Sequence, residues 1–351
     1  MNPPRVLMLV SASAGPELRR AVAAGERPCP EYLELEGRGV ELLDWSRLPG
    51  RPDVRSAKTA ALHIAAALSR LRHVDAVFSD GEHVGMALAL AMGATGVRTP
   101  HLMLGHHLTN GRKRALITRF RPDRRIDRIV VHSPRQAELA ARELDIPAGK
   151  LVLDPYAADT QFWRPHPGVP EEPLAVAAGR DHRDYATLAA AWAGRPERVF
   201  VAAGSTHSPS ATTRLPESWP ATFEIGTAGP SRLRDLYARA SVIVVPVVES
   251  DFQAGITVVL EGMAMGKAVV ATAASGWAGV IEDGVNGLLV PPGDVAALRA
   301  ALSRVLGDRD LRVRLGRQAR LTAVTRYSLP AYADRLEALL EELAGAVRAA
   351  A

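Results

Sequence analysis

Residues 252–270 combine a glycine turn, a helix and a buried strand in an order that could bind an anion. After an apolar run and three polar residues, the chain is expected to start a helix near Ala254 or Gly255. The first amides of a helix have no acceptor within it, so they can donate to a phosphate group. The backbone of the four residues Ala254, Gly255, Ile256 and Thr257 is therefore a candidate diphosphate site.

Two polar side chains accompany this predicted helix start. Gln253 precedes it, and Glu261 lies eight residues further on, just over two helical turns later. Both side chains can therefore face the same side of the predicted helix. Taken alone, they would be interpreted as ordinary polar positions of a loop and a helix. Gly266 is expected to end the helix before the next buried strand.

The segment resembles the signature of glycosyltransferase family 4 in the GT-B superfamily. In that signature a Glu, seven residues and a second Glu precede an Ala-Met-Ala-x-Gly turn, and here Gln253 replaces the first Glu. The resemblance implies that Gln253 lies against the donor sugar and that Glu261 hydrogen-bonds the ribose of the nucleotide. Further similar segments extend the resemblance over most of the chain, most strongly between Leu174 and Leu343. Gly279 stands where many members carry an acid.

Two arginines follow the first predicted strand of the second half. Arg180 and Arg183 resemble the family's Arg and Lys, which clamp the donor diphosphate, with Arg183 in place of the Lys. Guanidinium groups suit phosphate oxygens because they can donate two hydrogen bonds at once. The alternative is a pair of surface arginines tied to Asp181 and Asp184.

The first half contributes candidate residues at the ends of predicted strands. His106 aligns with the family histidine beside the transferred sugar, although an isolated histidine is more often a satisfied core residue. Gly15, His107, Asp80 and Glu82 are candidates for the acceptor side. The alternative for Asp80 and Glu82 is a polar turn that caps the next helix.

The composition excludes several classes of protein. With 351 residues, 47% of them hydrophobic, the chain is expected to form two domains. The single cysteine, Cys29, excludes a disulfide framework, no metal-binding cysteine cluster is present, and no run reaches the roughly 20 apolar residues of a membrane span. The run 84–97 is predicted to be a core helix, and residues 6–10 a first buried strand and not a signal peptide.

The positive charge of the chain is local. The net charge is +5, and Arg112–Arg128 alone holds eight basic residues against two acidic ones. This distribution argues against a general nucleic-acid-binding surface. Leu116, Ile117 and Phe120 interrupt the basic residues, which suits contact with an acidic membrane surface or a phosphorylated acceptor. A solvated arginine-rich helix face explains the pattern equally well.

Short apolar runs alternate with helical stretches twice along the chain. This pattern predicts an α/β protein with two Rossmann-like doubly wound domains facing across a cleft. The resemblance implies that the architecture is GT-B, with an N-terminal acceptor-side domain over 1–165, a nucleotide-sugar donor domain over 173–327, and a C-terminal helix over 328–351 that packs on the first domain. The predicted strands are 6–10, 40–43, 76–78, 102–104, 129–132, 151–154, 174–178, 199–203, 222–225, 242–245, 268–270 and 288–290.

The resemblance implies a retaining, metal-independent glycosyltransferase that moves a hexosyl unit from a nucleoside diphosphate sugar to an acceptor hydroxyl. Its expected partners are that sugar nucleotide and a small-molecule, glycan or lipid acceptor, with no further cofactor. The expected location is the cytoplasm, with membrane contact through Arg112–Arg128 as an option. Two alternatives stay open, namely a GT-B protein that binds nucleotide sugar without transferring it, and a nucleotide-sugar epimerase.

Overall fold

The computed structural model of the chain describes residues 3–50, 52, 56–203, 212–277 and 279–350. These residues fall into two compact units. The first unit comprises Met1–Ala23, Cys29–Pro155 and Pro330–Ala351, and the second comprises Ala24–Pro28 and Tyr156–Leu329.

Each unit is built on one six-stranded sheet in which all paired strands are parallel. The first sheet has the strand order β2-β1-β3-β4-β5-β6 and the second has the order β12-β11-β10-β7-β8-β9. The strands are β1 Val6–Leu9, β2 Glu41–Leu43, β3 Ala76–Ser79, β4 His101–Gly105, β5 Arg128–Val131, β6 Leu151–Leu153, β7 Leu174–Ala178, β8 Arg198–Ala202, β9 Phe223–Gly226, β10 Val242–Val245, β11 Val269–Thr272 and β12 Leu288–Val290.

Helices connect the strands and cover the sheets. They are α1 Pro16–Ala23, α2 Glu31–Gly37, α3 Ala57–Leu68, α4 Glu82–Thr95, α5 Gly111–Phe120, α6 Pro134–Leu144, α7 Tyr185–Trp192, α8 Pro230–Arg239, α9 Ile256–Ala264, α10 Val295–Gly307, α11 Arg309–Arg326 and α12 Leu329–Ala350. Short 3₁₀ helices cover Trp45–Arg47, Leu71–His73, Pro122–Arg125 and Ala148–Lys150.

The central strands are continuous apolar runs because both faces of each sheet are covered. All four residues of β1 and of β10 are buried, as parallel sheets require. Each predicted strand overlaps one of the observed strands, so the predicted α/β fold class with two Rossmann-like sheets is confirmed. The run 84–97 is helical, as expected, and lies mostly within α4.

The boundary between the units differs from the predicted position at residue 165. The second unit already includes Tyr156, because Phe162 and Trp163 are buried in the same apolar cluster as β7. Arg320 of α11 also donates to the carbonyls of Thr160 and Trp163, at 3.1 and 2.9 Å. The proline-rich residues 164–173 therefore lie inside the second unit.

The last helix packs within the first unit from Pro330 onward. Its residues Leu336 and Leu340 are buried, and Arg335 Nε donates to Asp154 Oδ1 at 2.5 Å. Asp154 is itself buried at the end of β6, and burial raises the pKa of its carboxyl group above the ordinary value even with Arg335 beside it. The ion pair therefore compensates a charge that the interior disfavours.

Replacing Arg335 by alanine should destabilise the protein by about 1 to 3 kcal/mol, because the buried carboxylate of Asp154 loses its cation. Without Arg335 the folded-state pKa of Asp154 rises further, so the loss of stability should grow as the pH increases and shrink at acidic pH, where the carboxyl group binds a proton. Urea unfolding at several pH values measures both effects. Arg317→Ala, at an exposed position of α11, is the control and should change stability by less than about 0.5 kcal/mol.

Candidate anion and nucleotide-sugar site

The second sheet changes direction between β7 and β10. From β7 the chain adds β8 and β9 on one side, and from β10 it adds β11 and β12 on the other. The loops after β7 and β10 therefore lead away from each other at the carboxyl ends of the strands and leave a crevice between them. Crevices of this kind are the usual ligand sites of open α/β sheets.

A cavity of about 250 Å³ lies in this crevice. Most of its walls come from the loops after β7 and β10 and from the start of α9. The cavity therefore brings together Gln253, the two predicted arginines Arg180 and Arg183, and the predicted helix start. The lining residues are Tyr156, Gly179, Arg180, Asp181, Arg183, Phe252, Gln253, Ala254, Gly255, Ile256, Thr257 and Val258.

The start of α9 presents backbone donors to this cavity. Gly255 has a left-handed backbone, with φ of 83°, and the helix begins at the next residue. The amide of Ile256 donates to the Gln253 carbonyl at 3.2 Å, whereas the amides of Thr257 and Val258 have no acceptor within the described ranges. Because the helix dipole also favours negative charge here, the two amides can donate to an anion.

Gly255 is required by space as well as by its backbone conformation. A Cβ atom there would lie 2.9 Å from Val245 Cγ1 and 3.2 Å from Arg183 Nη1. Gly279 also has a left-handed backbone, with φ of 70°, but an added Cβ atom there would meet nothing within 4 Å. An acidic residue at this position would have to adopt a left-handed backbone, which favours glycine.

Arg183 is the central cation of the site. Its side chain is buried, with Nε donating to the Ala178 carbonyl at 2.8 Å and Nη1 to the Asp181 carbonyl at 2.7 Å. Burial lowers the pKa of its guanidinium group, which nevertheless stays charged at neutral pH. No carboxylate in the part of the chain that the structure describes forms an ion pair with it. A buried cation of this kind is stabilised by an anion bound in the cavity.

The surface-pair alternative for the two arginines does not hold for Arg183, because its guanidinium is buried and donates only to backbone carbonyls. The carboxylate of Asp184 instead caps α7 by accepting from the Thr187 amide at 3.1 Å, and it pairs with Arg214 at 3.4 Å. Arg180 is exposed at the rim of the cavity.

Gln253 brings an unpaired acceptor into the cavity. Its side chain is 5% exposed, and Oε1 has no hydrogen-bond partner among the described residues. An unpaired buried amide oxygen costs about 1 to 3 kcal/mol, which a ligand hydroxyl donating to Oε1 would offset.

Glu261 lies one turn beyond the first turn of α9 and is half-buried. Its Oε2 accepts from the Tyr237 hydroxyl at 3.3 Å. Burial raises the pKa of its carboxyl group to about 8, so the group is largely protonated at neutral pH in the unliganded protein. It is not among the residues that line the cavity.

The predicted residues of the first unit gather at the carboxyl edge of its sheet. Asp80 follows β3 and accepts from the Ser11 amide and from Ser11 Oγ, both at 2.6 Å. Burial raises the pKa of Asp80 to about 6. His106 Nε2 donates to the Asp80 carbonyl at 3.0 Å, and its ring stacks on that of His132 with centroids 5.3 Å apart. Asp80 and His106 are therefore neighbours at this edge of the sheet.

Glu82 holds two segments together. Its buried carboxylate accepts from the His107 amide at 2.5 Å and pairs with Lys113 Nζ at 3.2 Å. Burial acts to raise the pKa of Glu82, but Lys113, His106 and the His107 amide together lower it below its ordinary value. Glu82 thus stays ionised and joins the start of α4 to the loop after β4.

Gly15, the remaining candidate of the first unit, directly precedes α1. An added Cβ atom at Gly15 would meet only Ser13 Oγ, at 3.5 Å.

Gln136 contributes to this region and was missed by the sequence analysis. Its amide donates to the His106 carbonyl, and its Oε1 accepts from the His132 amide at 3.2 Å. The signal was present, because Ser133 and Gln136 have the spacing of a capping box, and Ser133 Oγ accepts from the Gln136 amide at 3.2 Å.

Half of the basic residues in the run Arg112–Arg128 have acidic partners inside the protein. Lys113, Arg114, Arg121 and Arg128 pair with Glu82, Glu143, Asp123 and Glu342, at 3.2, 3.0, 2.9 and 3.0 Å. Phe120 is 60% exposed. Part of this charge is therefore structural.

No helix in the described ranges combines the length and the low polarity needed to cross a membrane. Within the same ranges, no group of three or more His, Cys, Asp and Glu residues is placed to hold a metal ion.

The fold matches that of GT-B glycosyltransferase structures. Sucrose-phosphate synthase from Thermosynechococcus elongatus has a TM-score of 0.71 at 19% identity, with 98% of this chain and 100% of that chain covered. HepE from Anabaena, solved in complex with UDP-glucose, has a TM-score of 0.66 at 15% identity, with coverage of 97% and 100%. At these identities, the similarity concerns the fold.

Residues 182–308 match the family model described as "Glycosyl transferases group 1", so the chain carries a domain of this kind in its second unit. D-inositol 3-phosphate glycosyltransferase from Nocardia farcinica is 28% identical over 247 residues, which are 63% of this chain and 53% of that protein. The matched segments span about half or less of the length of the first curated relatives.

Replacing Gly255 by alanine should weaken the binding of inorganic pyrophosphate by about tenfold, because the added methyl group meets Val245 and forces the first turn of α9 to shift. Isothermal titration calorimetry measures the affinity. Gly293→Ala is the matched control, since Gly293 also has positive φ, of 71°, but an added Cβ atom meets nothing within 4 Å. Equal pyrophosphate affinities for the two variants would contradict the prediction.

Proposed function

We propose that this protein is a retaining glycosyltransferase of family 4 that moves a hexosyl unit from a nucleoside diphosphate sugar to an acceptor hydroxyl. The observation that carries the proposal is the buried guanidinium of Arg183, which lines one cavity together with the partnerless amides at the start of α9. This combination fits a diphosphate in charge and in hydrogen-bond capacity. The group 1 family match and the complex of HepE with UDP-glucose support a nucleotide-sugar donor.

The proposed chemistry assigns a role to each group around the cavity. As the bond from the sugar carbon to the diphosphate oxygen breaks, negative charge develops on the leaving diphosphate, where Arg183 and the amides of Thr257 and Val258 stabilise it. The acceptor oxygen bonds to the same face of that carbon, and its proton goes to the leaving phosphate oxygen. The products are a glycoside and a nucleoside diphosphate, and neither a protein nucleophile nor a metal ion is required.

Gln253 would position the sugar, because its unpaired Oε1 can accept from a sugar hydroxyl while its amide nitrogen donates to another. Glu261 would bind the ribose, and Arg180 would contact the diphosphate from the rim. His106, in the first unit, would hydrogen-bond the transferred sugar. We further propose that the first unit binds the acceptor, that the protein acts in the cytoplasm, and that the unpaired basic residues of Arg112–Arg128 contact a membrane surface.

Incubation with a panel of nucleoside diphosphate sugars and candidate acceptors tests the function directly. Release of nucleoside diphosphate together with a glycosylated product supports transfer. Donor binding without turnover supports a binding protein, and conversion of the donor sugar without an acceptor supports an epimerase. A chain that binds no nucleotide sugar overturns all three assignments.

Gln253→Glu should lower turnover by about tenfold, because a carboxylate cannot supply the donor hydrogen of the amide and its charge is costly in a buried position. Steady-state kinetics measures the effect on kcat. Gln161→Glu makes the same change at an exposed position of the second unit and should leave kcat unaltered. If wild type is inert and Gln253→Glu creates turnover, the protein is a nucleotide-sugar-binding protein.

Donor affinity should rise by about 25-fold between about pH 6.5 and about pH 8.5 and then level off. Two ribose hydroxyls donate to an ionised carboxylate, whereas burial raises the pKa of Glu261 to about 8 in the free protein, so binding must release a proton. Calorimetry of one nucleotide sugar across this range measures the dependence. Glu261→Gln should bind the donor with an affinity that no longer changes with pH. An unchanged pH profile in this variant would assign the titration to another group.

A further inference from the structure

A second cavity lies at the carboxyl edge of the first sheet. There the strand order changes direction between β1 and β3, which makes this edge the corresponding switch point of the first unit. Ser11 follows β1 and Trp45 follows β2, α3 with its cap contributes five residues, and α4, which follows β3, contributes His83, Val84 and Ala87. The cavity therefore occupies a position where α/β sheets bind ligands.

The walls of this cavity are amphipathic and carry no Asp, Glu, Lys or Arg among the described residues. Trp45, Ile64, Val84 and Ala87 supply an apolar side. Ser56, Thr59 and His63 supply hydroxyl and imidazole groups, and Ser56 Oγ lies 2.9 Å from Thr59 Oγ1. An apolar surface with a few placed polar groups is the usual lining of a small-molecule site.

His63 supplies an acceptor to this lining. Its Nε2 lies 2.7 Å from the carbonyl of Leu43, which can only accept, so Nε2 carries the proton. Burial lowers the pKa of His63, so the ring stays neutral at physiological pH. Nδ1 is then an unprotonated acceptor, and no described residue donates a hydrogen bond to it. A ligand hydroxyl would complete its hydrogen bonding.

The size of the cavity limits what it can hold. Its volume of about 30 Å³ exceeds the roughly 10 to 15 Å³ that one water molecule needs. It is far below the roughly 300 to 1,000 Å³ of pockets that enclose a whole drug-sized ligand. One small arm of a larger molecule therefore fits, and the rest of that molecule must lie outside the cavity.

We propose that this cavity is an acceptor subsite that binds an uncharged hydroxymethyl arm, with its carbon against Trp45 and its hydroxyl donating to His63. This assignment rests on the proposed transferase function and specifies the acceptor as a polyol or sugar with a free hydroxymethyl group. A phosphorylated arm is disfavoured, because burying a phosphate beside Trp45 and Ile64 costs far more than burying a hydroxyl, and no lysine or arginine lines the cavity in the part of the chain that the structure describes.

Direct binding tests the subsite without any donor. The full chain is labelled with ¹⁵N-histidine, the His63 signals are assigned with His63→Gln, and glycerol is titrated at about pH 7.5. The expected result is a saturable shift of the Nδ1 resonance of His63. Glycerol 3-phosphate should bind at least about tenfold more weakly through its phosphate end. An unshifted His63 resonance, or tighter binding of glycerol 3-phosphate, overturns the proposal.

Two variants with a matched control localise the binding. Ala87→Leu fills the cavity and should abolish the His63 shift, whereas Ala94→Leu makes the same change at an exposed position of α4 and should keep it. Thr59→Val preserves the volume and should weaken glycerol binding by removing a hydroxyl group. Unchanged signals of the buried His101 show that the variants are folded. A His63 shift that persists in Ala87→Leu places glycerol elsewhere and overturns the proposal.

Turnover then separates this inference from the proposed function. With a donor that the chain binds, Ala87→Leu should lower transfer to the polyol acceptor by at least about tenfold and leave donor affinity within about twofold. Transfer that is unaffected by Ala87→Leu overturns the acceptor role. If wild type binds no nucleotide sugar, the proposed function fails, while the glycerol titration still decides whether the cavity binds a hydroxymethyl group.

Discussion

Arg183 is a buried cation whose hydrogen bonds go to backbone carbonyls and not to a carboxylate. The cavity of the second unit depends on this arrangement, because an isolated charge in the interior is costly unless an anion binds beside it. Gly179 and Gly255 leave room for the guanidinium, since Cβ atoms there would lie 2.1 Å from its Nη2 and 3.2 Å from its Nη1. The glycines, the buried arginine and the helix start thus form one arrangement that can accommodate an anion.

Both sheets contain a point at which the strand order changes direction. Each sheet is parallel, and each changes direction once, between β7 and β10 in the second unit and between β1 and β3 in the first. The loops at such a point diverge, so a cavity forms without any distortion of the sheet. The cavity of the second unit is lined by two arginines and free amides, and the cavity of the first unit by a tryptophan, hydroxyl groups and imidazoles. The fold provides two cavities, and the lining residues determine which chemistry each can support.

The strands could be predicted because burial on both faces leaves short, continuous apolar runs such as Val242–Val245. The helix start at Ile256 could be predicted because a glycine precedes an apolar helical pattern. Other contacts join residues distant in sequence, and no local pattern encodes them. The pairing of Lys113 with Glu82 spans 31 positions, and the bond from Tyr237 to Glu261 spans 24. Arg183 was identified from its position, but its burial depends on glycines brought close by the fold.

Gln136 serves two purposes with the two ends of one amide. Its oxygen completes the start of α6 by accepting from the His132 amide, while its nitrogen donates to the carbonyl of His106. Glutamate is the other residue that capping boxes use, and it would preserve the helix start but could not donate to His106. Exchanging a single nitrogen for oxygen would thus spare the secondary structure and disturb only the loop after β4. Helix formation alone tolerates either residue, and the requirement for glutamine comes from the loop it supports.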